Sequence, residues 1–253
     1  AKGGAISHKD FGVAFGGGGG GATTRIAITT DNFSQTGSLS GWAIDDTNEK
    51  ATATWNRNTT VQTIWMDLAD YLGEDIGDTW NLRYHLKLTG DFTATTGVGC
   101  YLATGLYNQV PTFSSHSATD LSGSTLIAEA YPAGNNPERM YPFIDGATAY
   151  EAGSNKIVPT VSAPTWSSNG AEFYIELIRD GDDITLNMYS DNFETLISNG
   201  SGSLSGTYTS DTITHLALLK NYNYSVSTFN GSGTFEVDAL YFNNNSTDAG
   251  APF

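Results

Sequence analysis

The sequence has a single cysteine, no long apolar run and no apolar leader. Cys100 cannot form an intrachain disulfide, and the apolar run around it favours a small buried side chain. No stretch approaches the roughly 20 apolar residues that span a bilayer, so we expect no membrane insertion. No hydrophobic region follows the first four residues, so no signal peptide is visible.

Basic residues are also scarce. The 11 Lys and Arg stand against 27 Asp and Glu, which gives a formal net charge of −16 at pH 7. Nucleic-acid binding depends on Lys and Arg contacts with phosphates. We therefore expect no general role in binding nucleic acid.

Small polar residues and aromatic residues are abundant instead. The 253 residues include 29 glycines, and aromatics reach 12% while charged residues make up only 15%. Short strands joined by polar turns produce this composition, whereas helical bundles do not. The length suffices for one large all-β domain with a substantial core.

The clearest secondary-structure pattern runs from residue 172 to residue 197. Between Glu172 and Arg179 every second residue is apolar, and the alternation returns between Asp183 and Ser190. Period-two alternation is typical of half-buried strands, and Asp180-Gly181 between the two runs is a strong hairpin turn sequence. We predict two antiparallel strands joined at this turn.

Similar alternation predicts further strands along the chain. Asp67 to Gly73 is the exception, because it predicts one helical turn with Asp67 as N-cap and Gly73 as terminator. Residues 111–164 have the least regular pattern and should form long loops with a few short strands. The other predicted strands cover residues 25–30, 50–55, 61–66, 78–88, 98–104, 212–219 and 232–242.

These runs, in this order, resemble the concanavalin A-like (laminin-G-like) jelly-roll domains of lectins and glucanases. The resemblance rests on "TDNFS" at residues 30–34, "DTWNLRYHLKLT" at 78–89, the hairpin, and the closing "GTFEVDAL" at 233–240. It covers residues 29–243. It implies an all-β sandwich of two antiparallel sheets, of the kind found in phage and viral structural proteins, here assigned to residues 23–253.

An arm and a polyglycine linker, residues 1–22, precede this domain. The linker is an unbroken run of six glycines, the composition of a flexible connection. We predict that the arm docks either on its own jelly roll or on a neighbouring subunit, since untied termini are usually disordered. The apolar arm residues predicted to make this contact are Ile6, Phe11, Val13 and Phe15.

An incomplete catalytic motif lies in the closing strand. Glucanases of the resembled fold carry Glu-x-Asp-x-x-Glu, in which the outer carboxylates serve as nucleophile and acid/base. Here Glu236 and Asp238 match, but Tyr241 occupies the third position. Without the second outer carboxylate we expect no enzymatic activity.

Two kinds of binding site are predicted. The resembled jelly rolls often hold a structural Ca²⁺ with oxygen ligands, which implies Asp31 and Asp238 as candidates; surface aspartates are the alternative. Glycan binding would use exposed aromatic rings with nearby amides, although core packing claims many aromatics. The candidates for glycan contact are Tyr107, Asn108, Tyr222 and Tyr224.

Three functions remain open at this point. The first is a non-enzymatic structural or adhesive protein of a virion surface, capsid decoration, tail or appendage. It would assemble with itself or another structural protein through the arm, and it would contact glycans. The second is a monomeric carbohydrate-binding lectin-like module, and the third is a glycan-degrading enzyme. The apolar arm and the incomplete catalytic set favour the first.

Overall fold

The computed structural model describes only part of the chain, and every structural statement below concerns that part. The described residues are 23–36, 42–55, 62–90, 98–108, 110, 112–113, 121–122, 125–134, 139–140, 142–143, 161–162, 171–204, 212–222 and 233–248.

The described chain consists almost wholly of strands. A single short helix, α1, covers Leu68–Leu72. The strands are Thr24–Arg25 (β1), Ser34–Thr36 (β2), Trp42–Asp45 (β3), Lys50–Trp55 (β4), Gln62–Asp67 (β5), Thr79–Gly90 (β6), Val98–Tyr107 (β7), Thr112–Phe113 (β8), Leu121–Ser122 (β9), Thr125–Gly134 (β10), Arg139–Met140 (β11), Pro142–Phe143 (β12), Val161–Ser162 (β13), Ala171–Asp180 (β14), Asp183–Tyr189 (β15), Leu196–Ser203 (β16), His215–Tyr222 (β17) and Gly233–Asn244 (β18).

Two antiparallel sheets form the sandwich. The large sheet has the order β16-β15-β14-β6-β18-β4-β3, and β1 also pairs with β18. The small sheet has the order β12-β10-β7-β17-β5-β2. Two short two-stranded ladders, β11 with β13 and β8 with β9, stand apart from both. The predicted sandwich of two antiparallel sheets is confirmed.

The core lies between the sheets and is built by the alternation read from the sequence. Each fully buried aliphatic or aromatic side chain contributes roughly 1.5–3 kcal/mol through burial. The buried set includes Ile64, Met66, Trp80, Leu82, Tyr84, Leu86, Leu88, Phe173, Ile175, Leu177, Ile184, Leu186, Met188, Leu216, Leu218, Phe235, Val237 and Phe242.

The predicted hairpin is present. Strands β14 and β15 pair from Tyr174 opposite Tyr189 to Asp180 opposite Asp183. The two-residue turn between them places Gly181 at φ +60°, a conformation that glycine adopts without a Cβ clash. The Gly181 N–H donates to the Asp78 carbonyl oxygen at 2.9 Å, so the turn is fixed to the start of β6.

A bulge interrupts β18 beside β6. Asp238 pairs with His85 and Tyr241 pairs with Arg83, so two residues of β18 oppose one of β6. Ala239 takes φ +47° to accommodate the extra residue. The extra residue shifts the in–out alternation of side chains in β18 by one position. The side chains of Asp238 and Tyr241, three residues apart, therefore lie on the same face of the sheet.

Several strand boundaries differ from the prediction, and the first strand differs most. The strand expected over residues 25–30 is confined to Thr24–Arg25, because the Ile26 N–H bonds to the Leu240 carbonyl oxygen at the bulge and the chain then leaves the ladder. Ile26 and Ile28 remain buried, which explains the alternation in the sequence. The strand expected from residue 212 begins at His215.

The predicted helical turn is present with the predicted caps. The Asp67 side chain accepts a hydrogen bond from the Asp70 N–H at 2.9 Å, and Gly73 follows the helix at φ +72°. Among the described residues no helix is long and apolar enough to cross a membrane.

Candidate functional site

The outer face of the large sheet, meaning the side that points away from the core, carries a dense polar network. Strand pairing places its side chains in ranks across the strands. One rank joins Glu236, Lys87 and Glu172, and the next joins Asp238, His85 and Tyr174. Most charged groups of the face therefore have an oppositely charged or polar neighbour across the strand.

Glu176 is the centre of this network. Its Oε1 accepts from Arg83 Nε at 2.9 Å and from Asn81 Nδ2 at 2.9 Å, and Arg83 Nη2 lies 2.8 Å away. Its Oε2 accepts from Asn187 Nδ2 and from the Tyr189 hydroxyl, both at 2.8 Å. Burial alone would raise the pKa of Glu176, but these hydrogen bonds and the Arg83 charge outweigh burial and hold the pKa below its usual range. The carboxylate is therefore ionised and fully engaged.

Aromatic rings close over the same network. The Arg83 guanidinium lies 4.5 Å from the centroid of the Phe193 ring, a cation–π contact. Phe193 packs edge-on against Tyr174 and Tyr189 at 5.4 and 5.7 Å. Burial, with the Glu176 hydrogen bond second, raises the pKa of Tyr189 to about 12. These rings shield the ion pair on an outward-facing side of the sheet.

Two lysine–carboxylate pairs lie along the neighbouring rank. Thr52 is the β4 residue opposite Glu236 in this rank, and Lys50 reaches Glu236 from two residues away along β4. Lys50 Nζ lies 2.8 Å from Glu236 Oε2, and Lys87 Nζ lies 2.6 Å from Glu172 Oε1. Hydrogen bonds to these carboxylates raise the pKa of both lysines, so both lysines are charged at neutral pH. Beside them, His85 Nδ1 contacts Asp238 Oδ1 at 2.7 Å, and the His85 ring stacks on Tyr174.

A different arrangement occurs at one end of the small sheet. Strand β17 pairs with β5 so that His215 lies opposite Asp67 and Ala217 lies opposite Trp65. We call Trp65, Asp67 and His215 the small-sheet site. All three side chains project from the outer side of that sheet. Trp65 is half-buried, Asp67 is exposed and His215 is buried.

One residue, Thr214, connects the elements that hold this site. Its carbonyl oxygen accepts from the Leu68 N–H at 2.8 Å, at the start of α1, and its N–H donates to the Tyr107 carbonyl oxygen at 2.8 Å. The chain of hydrogen bonds links β7, β17 and the end of β5. Asp67, which caps α1, is thereby fixed beside His215.

The small-sheet site has spare hydrogen-bonding capacity. Asp67 Oδ1 caps the helix, but Asp67 Oδ2 lies 3.8 Å from His215 Nε2, beyond hydrogen-bond distance. Burial lowers the pKa of His215, and the Asp67 charge only partly opposes this shift, so the imidazole is neutral at pH 7. The Trp65 and His215 ring centroids lie 5.5 Å apart. A carboxylate oxygen, a buried neutral imidazole and a partly buried tryptophan thus lie together on the outer side of the small sheet.

Tyr107 and Asn108 lie on the neighbouring strand. Tyr107 pairs with His215 but is only 2% exposed, so its ring is not an exposed platform for a sugar. The ring covers Gly105, where a Cβ would lie 2.4 Å from the Tyr107 hydroxyl oxygen. Asn108 Oδ1 is buried and accepts no hydrogen bond from a described residue.

The remaining predicted site residues lie in different parts of the chain, some of them outside the described residues. Tyr222 belongs to β17, and only the backbone of this residue is described. Tyr224 lies outside the described residues, as do the arm residues Ile6, Phe11, Val13 and Phe15. Asp31 is exposed in a turn, whereas Asp238 bonds to His85. The described part of the chain holds no group of three or more His, Cys, Asp or Glu suited to a metal ion. The calcium site stays a prediction.

The candidate catalytic carboxylates, Glu236 and Asp238, form hydrogen bonds with neighbouring side chains of the large sheet. Glu236 and Asp238 lie on the outer face of the large sheet, where Lys50 and Thr52 contact Glu236. Tyr241, in the third position of the motif, also pairs across to Arg83 on that sheet.

Sequence reasoning missed Trp65, Asp67 and His215 as a group. His215 and Asp67 are 148 positions apart in the sequence, and only the pairing of β5 with β17 brings them together. The N-cap role of Asp67 is readable from the sequence, but the neighbouring imidazole is not.

Comparison with known proteins supports the fold. No protein-family model matches the sequence, and no curated protein sequence matches it. Among solved structures, the lectin UEA-II in complex with galactose superposes with a TM-score of 0.56 at 13% identity, covering 90% of this chain and 100% of that chain. A legume lectin-like domain from Entamoeba histolytica gives 0.57 at 10% identity, covering 87% and 95%.

A phage module has a similar fold. The CBM2 module of the evolved Dit of Lactobacillus casei BL23 phage J-1 superposes with a TM-score of 0.51 at 11% identity. The match covers 85% of this chain and 82% of that module. The chain therefore has a concanavalin A-like jelly-roll fold, as the sequence predicted.

Proposed function

We propose that this protein is a non-enzymatic glycan-binding module of a structural surface assembly, such as a virion or an appendage. The small-sheet site carries the proposal. It alone, among the described clusters, combines a partly buried tryptophan with a carboxylate oxygen that accepts no hydrogen bond from a described residue. Sugars bind proteins by stacking a C–H face on an aromatic ring and by donating hydroxyls to carboxylates.

Each residue of the site has a defined role in this proposal. The Trp65 ring supports the apolar face of one sugar ring. Asp67 Oδ2 accepts a hydroxyl proton in a charge-assisted hydrogen bond, while Oδ1 keeps the helix cap. Neutral His215, beside Trp65, forms a further hydrogen bond with the sugar.

The structural neighbours favour a sugar as ligand. The lectin UEA-II is complexed with galactose, and the winged bean acidic lectin, with a TM-score of 0.54, is complexed with methyl-α-D-galactose. The phage module favours a virion setting. Assembly through residues 1–22, by way of Ile6, Phe11, Val13 and Phe15, belongs to the same proposal.

A glycan array followed by titration with methyl-α-D-galactose and with the best array ligand tests the site. Asp67→Asn keeps a helix-capping side chain but loses the charge, and Trp65→Ala removes the platform. We expect each to weaken binding at least about tenfold, because hydrogen bonds to charged groups contribute roughly 1.5–3 kcal/mol. Glu236→Gln, on the other sheet, is the matched control and should bind like the wild type. Unchanged binding by Asp67→Asn and Trp65→Ala would refute the site.

The arm is tested separately by comparing the full chain with a chain lacking residues 1–21. Light scattering should show a larger assembly for the full chain only. Equal masses for the two chains would remove the assembly part of the proposal and leave the glycan site untouched.

A further inference from the structure

Cationic side chains are unevenly distributed between the two sheets. Among the side chains that the structure describes, every Lys and Arg belongs to a strand of the large sheet, namely Arg25 in β1, Lys50 in β4, Arg83 and Lys87 in β6, and Arg179 in β14. The small-sheet site lies on the other sheet, and its one charged member is Asp67, whose side chain is 48% exposed. The whole chain carries a formal net charge of −16. Such a site attracts a cationic ligand and repels an anionic one.

The hydrogen bonds around His215 favour the tautomer with the proton on Nδ1. Thr214 Oγ1 lies 2.7 Å from His215 Nδ1 and 3.5 Å from the Tyr107 carbonyl oxygen. A carbonyl oxygen can only accept, so the Thr214 hydroxyl donates to Tyr107 and in turn accepts from Nδ1–H. Burial holds the pKa of His215 below its usual range, so the imidazole carries only this one proton at neutral pH. Its Nε2 is therefore left with a lone pair.

Two hydrogen-bond acceptors thus face each other in the small-sheet site. His215 Nε2 and Asp67 Oδ2 are 3.8 Å apart, and neither receives a hydrogen bond from a described residue. A donor nitrogen can lie about 2.9 Å from both atoms at once, because their separation is less than twice that distance. The geometry therefore suits a single group that donates two hydrogen bonds.

The polar groups of sugars differ in how well they meet this demand. A hydroxyl has one proton to donate and an acetamide has one N–H, so either can satisfy Asp67 or His215 but not both. A protonated amine has three N–H donors, no lone pair and a positive charge. Its hydrogen bond to a carboxylate is charge-assisted, and such bonds are roughly twice as strong as neutral ones.

Trp65 is placed so that a stacked sugar can reach both acceptors. Trp65 and Asp67 are two positions apart on β5, so their side chains project from the same face, with Cα atoms about 6.8 Å apart. The Trp65 and His215 ring centroids are 5.5 Å apart. A sugar ring stacked on Trp65 therefore has a substituent within reach of Asp67 Oδ2 and His215 Nε2.

We propose that the small-sheet site binds an amino sugar, a hexosamine whose protonated amine donates to both Asp67 Oδ2 and His215 Nε2 while its ring stacks on Trp65. This inference rests on the proposed glycan-binding function and names the class of sugar. N-acetylated sugars bind less tightly because their amide has one donor and no charge. Anionic sugars bind less tightly because they meet the Asp67 carboxylate and the negative charge of the chain.

Calorimetric titration of the full chain with matched pairs of sugars tests this proposal. Glucosamine is compared with N-acetylglucosamine, and galactosamine with N-acetylgalactosamine, at about pH 7 and about 50 mM NaCl, where charge effects are only weakly screened. The amine of at least one pair should bind at least about tenfold more tightly than its acetylated form, and added salt should reduce the preference. Equal or tighter binding of both acetylated sugars would overturn the inference and leave the proposed function standing. Failure of every sugar to bind would overturn both.

Matched variants and a matched ligand locate the preference. Asp67→Asn should abolish the preference for the amine. Asp70→Asn, which removes an exposed carboxylate of α1 and changes the net charge equally, should keep it. Equal effects of the two substitutions would contradict a specific contact with Asp67. Butylamine carries an ammonium without a sugar ring and should bind at least about tenfold more weakly than the amino sugar; equal binding would overturn the assignment to a sugar.

Nitrogen NMR of the wild type tests the same geometry if Asp67→Asn does not fold. The spectrum should show the His215 proton on Nδ1, and the Nε2 signal should shift when the amino sugar is added. The signal that His215→Gln removes identifies the residue. A proton on Nε2 in the free protein would overturn the proposal, because Nε2 could not then accept a hydrogen bond.

Discussion

The outer sides of the two sheets differ in how completely their carboxylate groups are hydrogen-bonded. On the large sheet, Glu176 engages both carboxylate oxygens with Arg83, Asn81, Asn187 and Tyr189. On the small sheet, Asp67 uses one oxygen for a helix cap and leaves the other without a described hydrogen bond. A satisfied network stiffens a surface, whereas an unsatisfied group can bind. Polar content alone therefore does not locate a ligand site.

Breaking the large-sheet network should have the largest effect on stability. Arg83→Met leaves Glu176 as a buried carboxylate without its ionic partner, and such a loss costs about 3–5 kcal/mol. Urea denaturation should show this decrease in the free energy of unfolding. Lys87→Met is the matched control, because the exposed Lys87–Glu172 pair contributes less than about 1 kcal/mol. Equal losses for the two variants would show that shielding by Phe193 has no role.

Crowding the small sheet should have an intermediate effect. Gly105→Ala places a Cβ 2.4 Å from the Tyr107 ring atoms, and the ring must shift within a packed region, at a cost of about 1–3 kcal/mol. Thermal unfolding measures the loss, and glycan titration shows whether the shift reaches His215. Gly77→Ala is the control. There the Cβ meets Asn245 Oδ1, the end of an exposed side chain that can move away. A larger loss for Gly77→Ala would contradict this packing.

The smallest effect should be a pH dependence specific to the small sheet. Burial keeps the pKa of His215 below its ordinary value of about 6.5 in the folded protein. As the pH falls below about 6.5, the unfolded chain binds the proton first, so the free energy of unfolding decreases until the folded pKa is reached. The slope is at most about 1.4 kcal/mol per pH unit. His215→Gln should remove this part of the slope; an unaltered profile would contradict it.

The fold is largely readable from the sequence because local rules and tertiary packing agree. The hairpin from Ala171 to Tyr189, the capped α1 turn and the apolar face of β6 follow from alternation and turn chemistry. The strand expected over residues 25–30 fails for a nonlocal reason. Its second residue, Ile26, bonds to the bulge at Leu240, more than two hundred positions away.

The candidate site is much less readable. Tyr107 is a predicted glycan contact because it is an aromatic beside an amide, yet sequence cannot tell a ring packed over Gly105 from an exposed one. Trp65, Asp67 and His215 come together through strand register, which spacing along the chain does not encode. The Arg83–Glu176 pair cannot be predicted from the sequence for the same reason, because β6 and β14 are far apart along the chain and become neighbours only in the folded sheet.

The pairing of β1 with the end of β18 has a mechanical consequence. Thr24 lies opposite Phe242 and the two strands are antiparallel, so residues 23 and 248 leave the sheet on the same side. Tension between them pulls the two-residue ladder apart one hydrogen bond at a time instead of shearing the long strands past one another. The first step under load is a peeling of β1, while the 12-residue pairing partners β6 and β18 and the core beneath them stay intact. The β1 ladder can thus open under load while the two packed sheets keep their structure.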